Sequence, residues 1–327
     1  MAKRKRKPKY YPQHPLHPAN WGQGLLIGLM WAVGHLPWRF ACRLGEGLGW
    51  LGYWLAPGRR RIARRNLEVC FPEWSSDARE QVVRRNFMYS GRGIMEIALG
   101  WYGGSGIDRI PCTFQGEEHL HAAREDGRPI IFLSAHFLCV ELAARLLGNR
   151  VNVAAIYKPM TKKPVLDNAM RSARLRNVAG ALPRDDIRGI VRTARRGTAV
   201  WYAGDQDYGL RHSVFAPFFG HPAATINALS RLTRMAGAQV IPLFFNVKED
   251  GSGYEIRFEP PLDDFPTGDE VQDATCMNQL VEGAIRRHPA QYLWIHRRFK
   301  RVPEPGQPNI YGETERVSKW YRHRAGR

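Results

Sequence analysis

Apolar and polar positions along the chain fall into three regimes. Residues 21–36 are almost wholly apolar; after a break at Pro37, with Arg39 and Arg43, a second apolar stretch covers 44–56 and ends at Arg59-Arg60-Arg61. Residues 66–101 show helical spacing, charged and apolar positions alternating most regularly over 77–88, with Pro72 and Gly91 as the expected interruptions. Beyond Gly104 and Gly106 the pattern changes to short apolar runs separated by amphipathic stretches. The runs 130–133, 151–157, 199–203 and 240–245 predict strands, and 138–147 predicts the helix after the first of them. Glu249-Asp250-Gly251-Ser252-Gly253 predicts a hairpin into a further strand at 254–258, and 271–287 a last amphipathic helix. Strands alternating with helices predict an α/β fold, a mostly parallel central sheet flanked by helices. The division expected is a basic tail (1–20), an N-terminal apolar helical membrane-attachment segment (21–57), the α/β domain (58–302) and a loose C-terminal tail (303–327).

Neither apolar stretch reaches the ~20 residues that comfortably cross a bilayer. A tilted span, a shallow hairpin and helices lying in the interface are all compatible with their lengths. Trp21, Trp31, Trp38, Trp50 and Trp54 beside arginines favour a lipid interface over the core of a soluble protein. Gly45, Gly49 and Gly52 offer a small face for close helix packing. No small-residue cleavage site follows the first stretch, so it does not read as a signal peptide.

Lys and Arg outnumber Asp and Glu by 49 to 30, a net charge of +19 that asks for an anionic partner or surface. The tail contributes Lys3, Arg4, Lys5, Arg6, Lys7 and Lys9. Five scattered cysteines with no paired spacing speak against a disulfide framework or a zinc site.

Candidate chemistry gathers at the ends of the predicted strands, where open α/β sheets place their sites. Behind the first strand stands Ser134-Ala135-His136-Phe137-Leu138-Cys139-Val140-Glu141. On one regular helix, five steps of ~100° would set His136 and Glu141 roughly 140° apart. With His136 in the strand-to-helix turn, the Glu141 carboxylate can instead reach one ring nitrogen and leave the other free to take a proton. Tyr157-Lys158-Pro159 follows the second strand, and Gly204-Asp205-Gln206-Asp207-Tyr208-Gly209 the third. Paired aspartates of this kind can hold a metal, orient basic side chains or cap a turn. His296-Arg297-Arg298-Phe299-Lys300 is a basic group on an aromatic base, suited to phosphate or carboxylate, and Arg171, Arg174 and Arg176 lie on a predicted helix.

Taken together these blocks resemble the bacterial lipid A late acyltransferases, within the glycerolipid acyltransferase superfamily marked by His-x4-acid. The resemblance is carried by Arg64-Arg65-Asn66-Leu67, Cys70-Phe71-Pro72-Glu73, His136 with Glu141, and Tyr157-Lys158-Pro159. It continues through Val200-Trp201-Tyr202-Ala203 into Asp205-Gln206-Asp207-Tyr208-Gly209, then Ser213-Val214-Phe215-Ala216-Pro217-Phe218-Phe219, and closes with the block 289–300. It implies a bacterial inner-membrane enzyme facing the cytoplasm, in contact with membrane lipids. Such an enzyme transfers a fatty acyl chain from acyl carrier protein to a 3-hydroxyacyl chain of Kdo2-lipid IVA. His136 would be the general base and Glu141 its support, with no metal or organic cofactor. Lys158, Arg174 or Arg176, Asp205, Arg297 and Arg298 would be the substrate-binding set. Lys158 departs from the family's usual arginine, keeping charge but losing the fork. The rival expectations are another glycerolipid or glycolipid acceptor and, from a different class, a basic nucleic-acid-binding protein; the resemblance implies no nucleic acid.

Overall fold

The computed structural model describes residues 14–304 and 306–314; the basic residues 3–9 and the chain beyond 314 lie outside them. Helices α1 (Trp21–Gly34) and α2 (Trp38–Leu55) are separated at Pro37, the N-cap of α2, which has no N–H with which to continue α1. After α3 (Pro57–Cys70), the Ser75 side chain accepts a hydrogen bond from the Ala78 N–H and starts the long α4 (Ser76–Tyr102). Gly91 does not interrupt α4 as expected. It lies instead where α2 crosses: a Cβ there would stand 2.1 Å from the Gly45 carbonyl oxygen, and one on Gly49 would stand 2.1 Å from that of Phe87. Gly45 and Gly49 thus form the small face expected of them, whereas Gly52 has ordinary space around it.

The two helices are also tied through charge. Buried Arg92 of α4 donates to Glu96 (2.7 Å) and to Glu46 of α2 (3.0 Å).

The main sheet has seven strands in the order β1-β9-β8-β2-β5-β3-β4. They are β1 (Cys112–Gln115), β2 (Ile130–Ser134), β3 (Val153–Tyr157), β4 (Gly180–Pro183), β5 (Ala199–Ala203), β8 (Gln239–Val247) and β9 (Tyr254–Phe258). All neighbours are parallel except β8 and β9, which form the expected hairpin. The edge strands β1 and β4 were not legible as strands: each is four residues, only partly buried, with no continuous apolar run. Strands β6 (Ser213–Phe218) and β7 (His221–Ile226) pair as a separate antiparallel hairpin. The remaining helices are α5 (Glu117–Glu125), α6 (Val140–Gly148), α7 (Pro164–Asn177), α8 (Ile187–Arg195), α9 (Ala228–Ala236) and α10 (Glu270–Arg287).

Alternation along the strands divides the core. Phe132, Val153 and Ala199 pack with Leu142 and Leu146 of α6 and with Leu99 of α4. Ile131, Leu133 and Val200 point to the other face, against Ile190 of α8 and Leu232 of α9. Helices α1 and α2 pack on α4 and therefore lie on the α6 side of the sheet.

The block 289–299 straps the end of β2. Leu138 N–H donates to the Gln291 carbonyl and Leu293 N–H to that of His136, so the turn carrying His136 is held from both sides. Two buried asparagines anchor the strap: Asn86 donates to the carbonyls of Ala290 and Tyr292, and Asn66 to those of Trp294 and His296. Within the C-terminal tail, the described residues Asn309 and Tyr311 are buried. The Tyr311 hydroxyl donates to Asn66 Oδ1 at 2.6 Å.

Candidate active site

A cavity of about 1310 Å³ opens over the C-terminal ends of β2, β3 and β5. His136 lines it from the turn after β2, Glu141 from the first turn of α6, Lys158 from the end of β3 and Arg174 from α7. His296 and Arg297 enter from the strap.

The carboxylate on His136 is Asp205, and the expected contact with Glu141 is replaced by it. Asp205 Oδ1 lies 2.6 Å from His136 Nδ1, and Oδ2 accepts from the His136 backbone N–H at 3.0 Å. The Asp205 side chain is 1% exposed and that of His136 27%. A carboxylate accepts only, so Nδ1 carries the proton and Nε2 keeps a lone pair. Burial works to lower the imidazole pKa, but the Asp205 carboxylate outweighs it and holds His136 above its ordinary 6.5; the Arg174 charge opposes the rise. Burial likewise works to raise Asp205, yet the charge of His136 and its hydrogen bonds bring it down to about 2.

Glu141 serves a different cation. Its two oxygens receive the fork of Arg174, with Nη2 on Oε1 and Nε on Oε2, and Trp101 Nε1 donates to Oε2 at 3.1 Å. The physical reason is direction: from the first turn of α6, the side chain points across to α4 and α7.

The paired aspartates divide their work. Asp205 orients His136, while Asp207 Oδ1 accepts from the Gly209 N–H and caps a turn in which Gly209 has φ +87°. The Asp207 N–H in turn donates to His296 Nε2 at 3.1 Å. Burial holds His296 down to about 4, a neutral ring beside the charged His136–Asp205 pair. Among the described residues no group of three His, Cys, Asp or Glu side chains gathers to hold a metal ion.

The substrate-binding set separates similarly. Lys158 is exposed at the cavity, and Arg297 lines it while pairing with Glu313. Arg176 is exposed and turns away, donating to the Trp101 carbonyl, so Arg174 is the arginine at the site. Arg298 is not available to a substrate. It is 2% exposed and donates to the Ala224 carbonyl, Thr225 and Asn278, joining β7, α10 and the strap. Lys300, from the basic group read after the last apolar run, lines the cavity as well, whereas sequence reasoning missed Arg59, Arg184, Arg211 and Arg231, which line it from four separate places in the chain. It also missed an apolar wall formed by Val140, Ala144 and Leu147 of α6 with Val153 and Ala155 of β3.

The profile of the bacterial lipid A biosynthesis acyltransferases matches residues 9–301. The chain belongs to that family. It is 39% identical over 297 residues to the lipid A biosynthesis lauroyltransferase of Escherichia coli, covering 90% of this chain and 96% of the relative. Over the same shares it is 35% identical to the palmitoleoyltransferase of Escherichia coli. It is 30% identical over 320 residues to the myristoyltransferase of that organism, covering 95% of this chain and 97% of the relative. As a lipid A acyltransferase the chain is an enzyme, and the nucleic-acid-binding alternative falls.

Proposed function

We propose that the enzyme transfers a fatty acyl chain from an acyl carrier protein thioester to the hydroxyl of a 3-hydroxyacyl chain on Kdo2-lipid IVA. The observation that carries this reading is the His136–Asp205 pair at a cavity with one apolar wall and a basic rim. The wall suits an acyl chain, and the rim suits the phosphates and carboxylates of the acceptor.

In the reaction, His136 Nε2 removes the proton from the acceptor hydroxyl as its oxygen attacks the thioester carbonyl. Asp205 keeps Nδ1 protonated and stabilises the imidazolium that forms. The tetrahedral intermediate expels the thiolate, which takes the proton back from His136. Glu141 contributes by fixing Arg174, whose guanidinium is the cation best placed to steady the developing oxyanion or an acceptor anion. The donor is already an activated thioester, so these groups supply what acyl transfer requires. The catalytic domain faces the cytoplasm, where the donor is found, and α1 and α2 attach it to the inner membrane.

The test is an assay with purified enzyme, Kdo2-lipid IVA and a panel of acyl carrier protein thioesters of different chain length. The expected product is the acceptor heavier by one acyl group. Folded enzyme that acylates a different glycolipid or a glycerolipid, and leaves Kdo2-lipid IVA untouched, would overturn the acceptor assignment.

A further inference from the structure

Helices α8 and α9 carry a cluster of arginines of which only Arg231 lines the cavity. Arg188, Arg192, Arg195 and Arg196 are exposed and fall within roughly 100° of arc on α8 and its C-terminal end, while Gly189, Ile190, Val191 and Ala194 are buried beneath. Arg231 and Arg234 of α9 are exposed as well. Arg195 Nη2 donates to the Met235 carbonyl at 2.6 Å, which fixes the two helices side by side and joins the stripes into one surface. Among the described residues none of these six arginines is paired with a carboxylate. Of the acids close by, Asp186 caps α8 through the Gly189 N–H, Asp185 lies 3.7 Å from Arg184, and Glu270 shares the cavity lining with Arg231. Met235, 42% exposed, places an apolar side chain next to the cations.

We infer that this surface docks the acidic face of the carrier protein that delivers the acyl group, an inference that rests on the donor proposed above. Three observations select a soluble protein. The surface adjoins the active-site cavity, since Ile187, Ile190 and Arg231 also line it, so a thioester arm from a partner seated there enters directly. The sheet separates it from α1 and α2, whose apolar residues lie on the other face, so a bilayer engaged by those helices leaves α8 and α9 in water. Finally, unpaired arginines around an exposed methionine match the composition of protein interfaces, and single-sign charge steers an oppositely charged partner.

The test uses the full-length enzyme with lauroyl carrier protein as donor and Kdo2-lipid IVA as acceptor. Two charge-reversed variants are compared with wild type, Arg188→Glu with Arg192→Glu, and Arg192→Glu with Arg234→Glu; either remains informative if the other fails to fold. The expected result is a carrier KM raised at least tenfold, with kcat within about twofold, acceptor KM unchanged and the salt dependence of the carrier KM flattened. The double variant Arg188→Lys with Arg192→Lys should restore most of the lost affinity. An unchanged carrier KM in a folded variant overturns the inference. So does an equal rise in both KM values, or weaker binding to anionic phosphatidylglycerol vesicles with the carrier KM intact, which would assign the surface to lipid. Failure of the donor reading has its own signature: wild type would itself reject every carrier thioester and accept the coenzyme A thioester.

Discussion

His136 and Asp205 meet because two parallel strands end level. Ser134, the last residue of β2, is in register with Ala203, the last of β5, and the residue two positions beyond each is the histidine or the aspartate. A parallel pair aims both chains in one direction, so the side chains leaving the strand ends converge on one point above the sheet. The Asp205 carboxylate then grips both the backbone and the ring of His136, which fixes the position of the imidazole as well as its tautomer.

Asp205→Asn tests this relationship. The amide is nearly isosteric but has no charge to stabilise imidazolium, and its NH2 can enforce the wrong tautomer. A fall in kcat of about 10²–10⁴ is expected, comparable with loss of acid–base catalysis. The pH profile gives the sign. In the proposed mechanism His136 acts as a base only when neutral, so wild-type activity should rise with pH through a pKa above 6.5. In Asp205→Asn that limb should move to lower pH, because the group that raises the imidazole pKa is gone. A kcat profile unchanged in position would remove Asp205 from the mechanism.

Glu141 and Arg174 should behave as one unit. Glu141→Ala leaves a guanidinium without its partner, and Arg174→Ala leaves a carboxylate held, among the described residues, by Trp101. Each single substitution should cost activity strongly, and the double should cost much less than the two combined. A coupling of roughly 0.5–3 kcal/mol is expected from kcat/KM in a double-mutant cycle. Additive losses would mean that the two side chains act separately. Trp101→Phe, which removes one donor to Glu141, should have the mildest effect.

How much of this was legible follows from what sequence patterns encode. Five strands, the β8–β9 hairpin and the last helix could be read because continuous apolar runs or a Gly-rich turn marked them. The short edges β1 and β4 carry no such mark. The strand-end location of the site was readable, and His136, Glu141 and Asp205 were all candidates. Pairing them was a different problem. Spacing along one segment suggested His136 with Glu141, whereas the true neighbour of His136 lies 69 positions away and is fixed by strand register. Arg298 shows the same limit from another side. A basic string on an aromatic base looks alike whether it faces solvent or, as here, hydrogen-bonds inward between β7 and α10.

Arg298→Ala is accordingly a stability variant. Loss of charge-assisted hydrogen bonds to Ala224, Thr225 and Asn278 should destabilise the fold by about 1.5–3 kcal/mol or more. Thermal unfolding should register that loss, while the acceptor KM of the folded fraction stays near wild type. Lys158→Ala should show the opposite pattern, with a normal melting temperature and a raised acceptor KM. If Arg298→Ala changed only the acceptor KM, its assignment as an internal tie would be wrong.

Helices α1 and α2 set how the enzyme would hold a membrane. Helix α1 exposes apolar side chains around most of its circumference, including Trp21, Leu25, Leu29 and Trp31, and α2 exposes Leu44, Leu48, Leu51, Trp54 and Leu55. Yet among the described residues no helix is long and apolar enough to cross a membrane. At 1.5 Å per residue the 14 residues of α1 span about 21 Å, short of a hydrocarbon core of about 30 Å. Helix α2 begins among Arg39 and Arg43 and is pinned to α4 by Gly45 and Gly49, so it cannot leave the domain to lengthen a span. Both helices should therefore lie in one leaflet, indole rings at the headgroups and leucines below them. Leu25→Glu with Leu29→Glu should lower partitioning onto anionic vesicles by roughly 100-fold or more, since each buried leucine is worth about 1.5–3 kcal/mol. The melting temperature in detergent should hardly change, because both positions are exposed. A cysteine placed at position 14 should resist an impermeant reagent applied outside intact cells and react after permeabilisation. Labelling from outside would mean that the helices cross, and the single-leaflet arrangement would have to be given up.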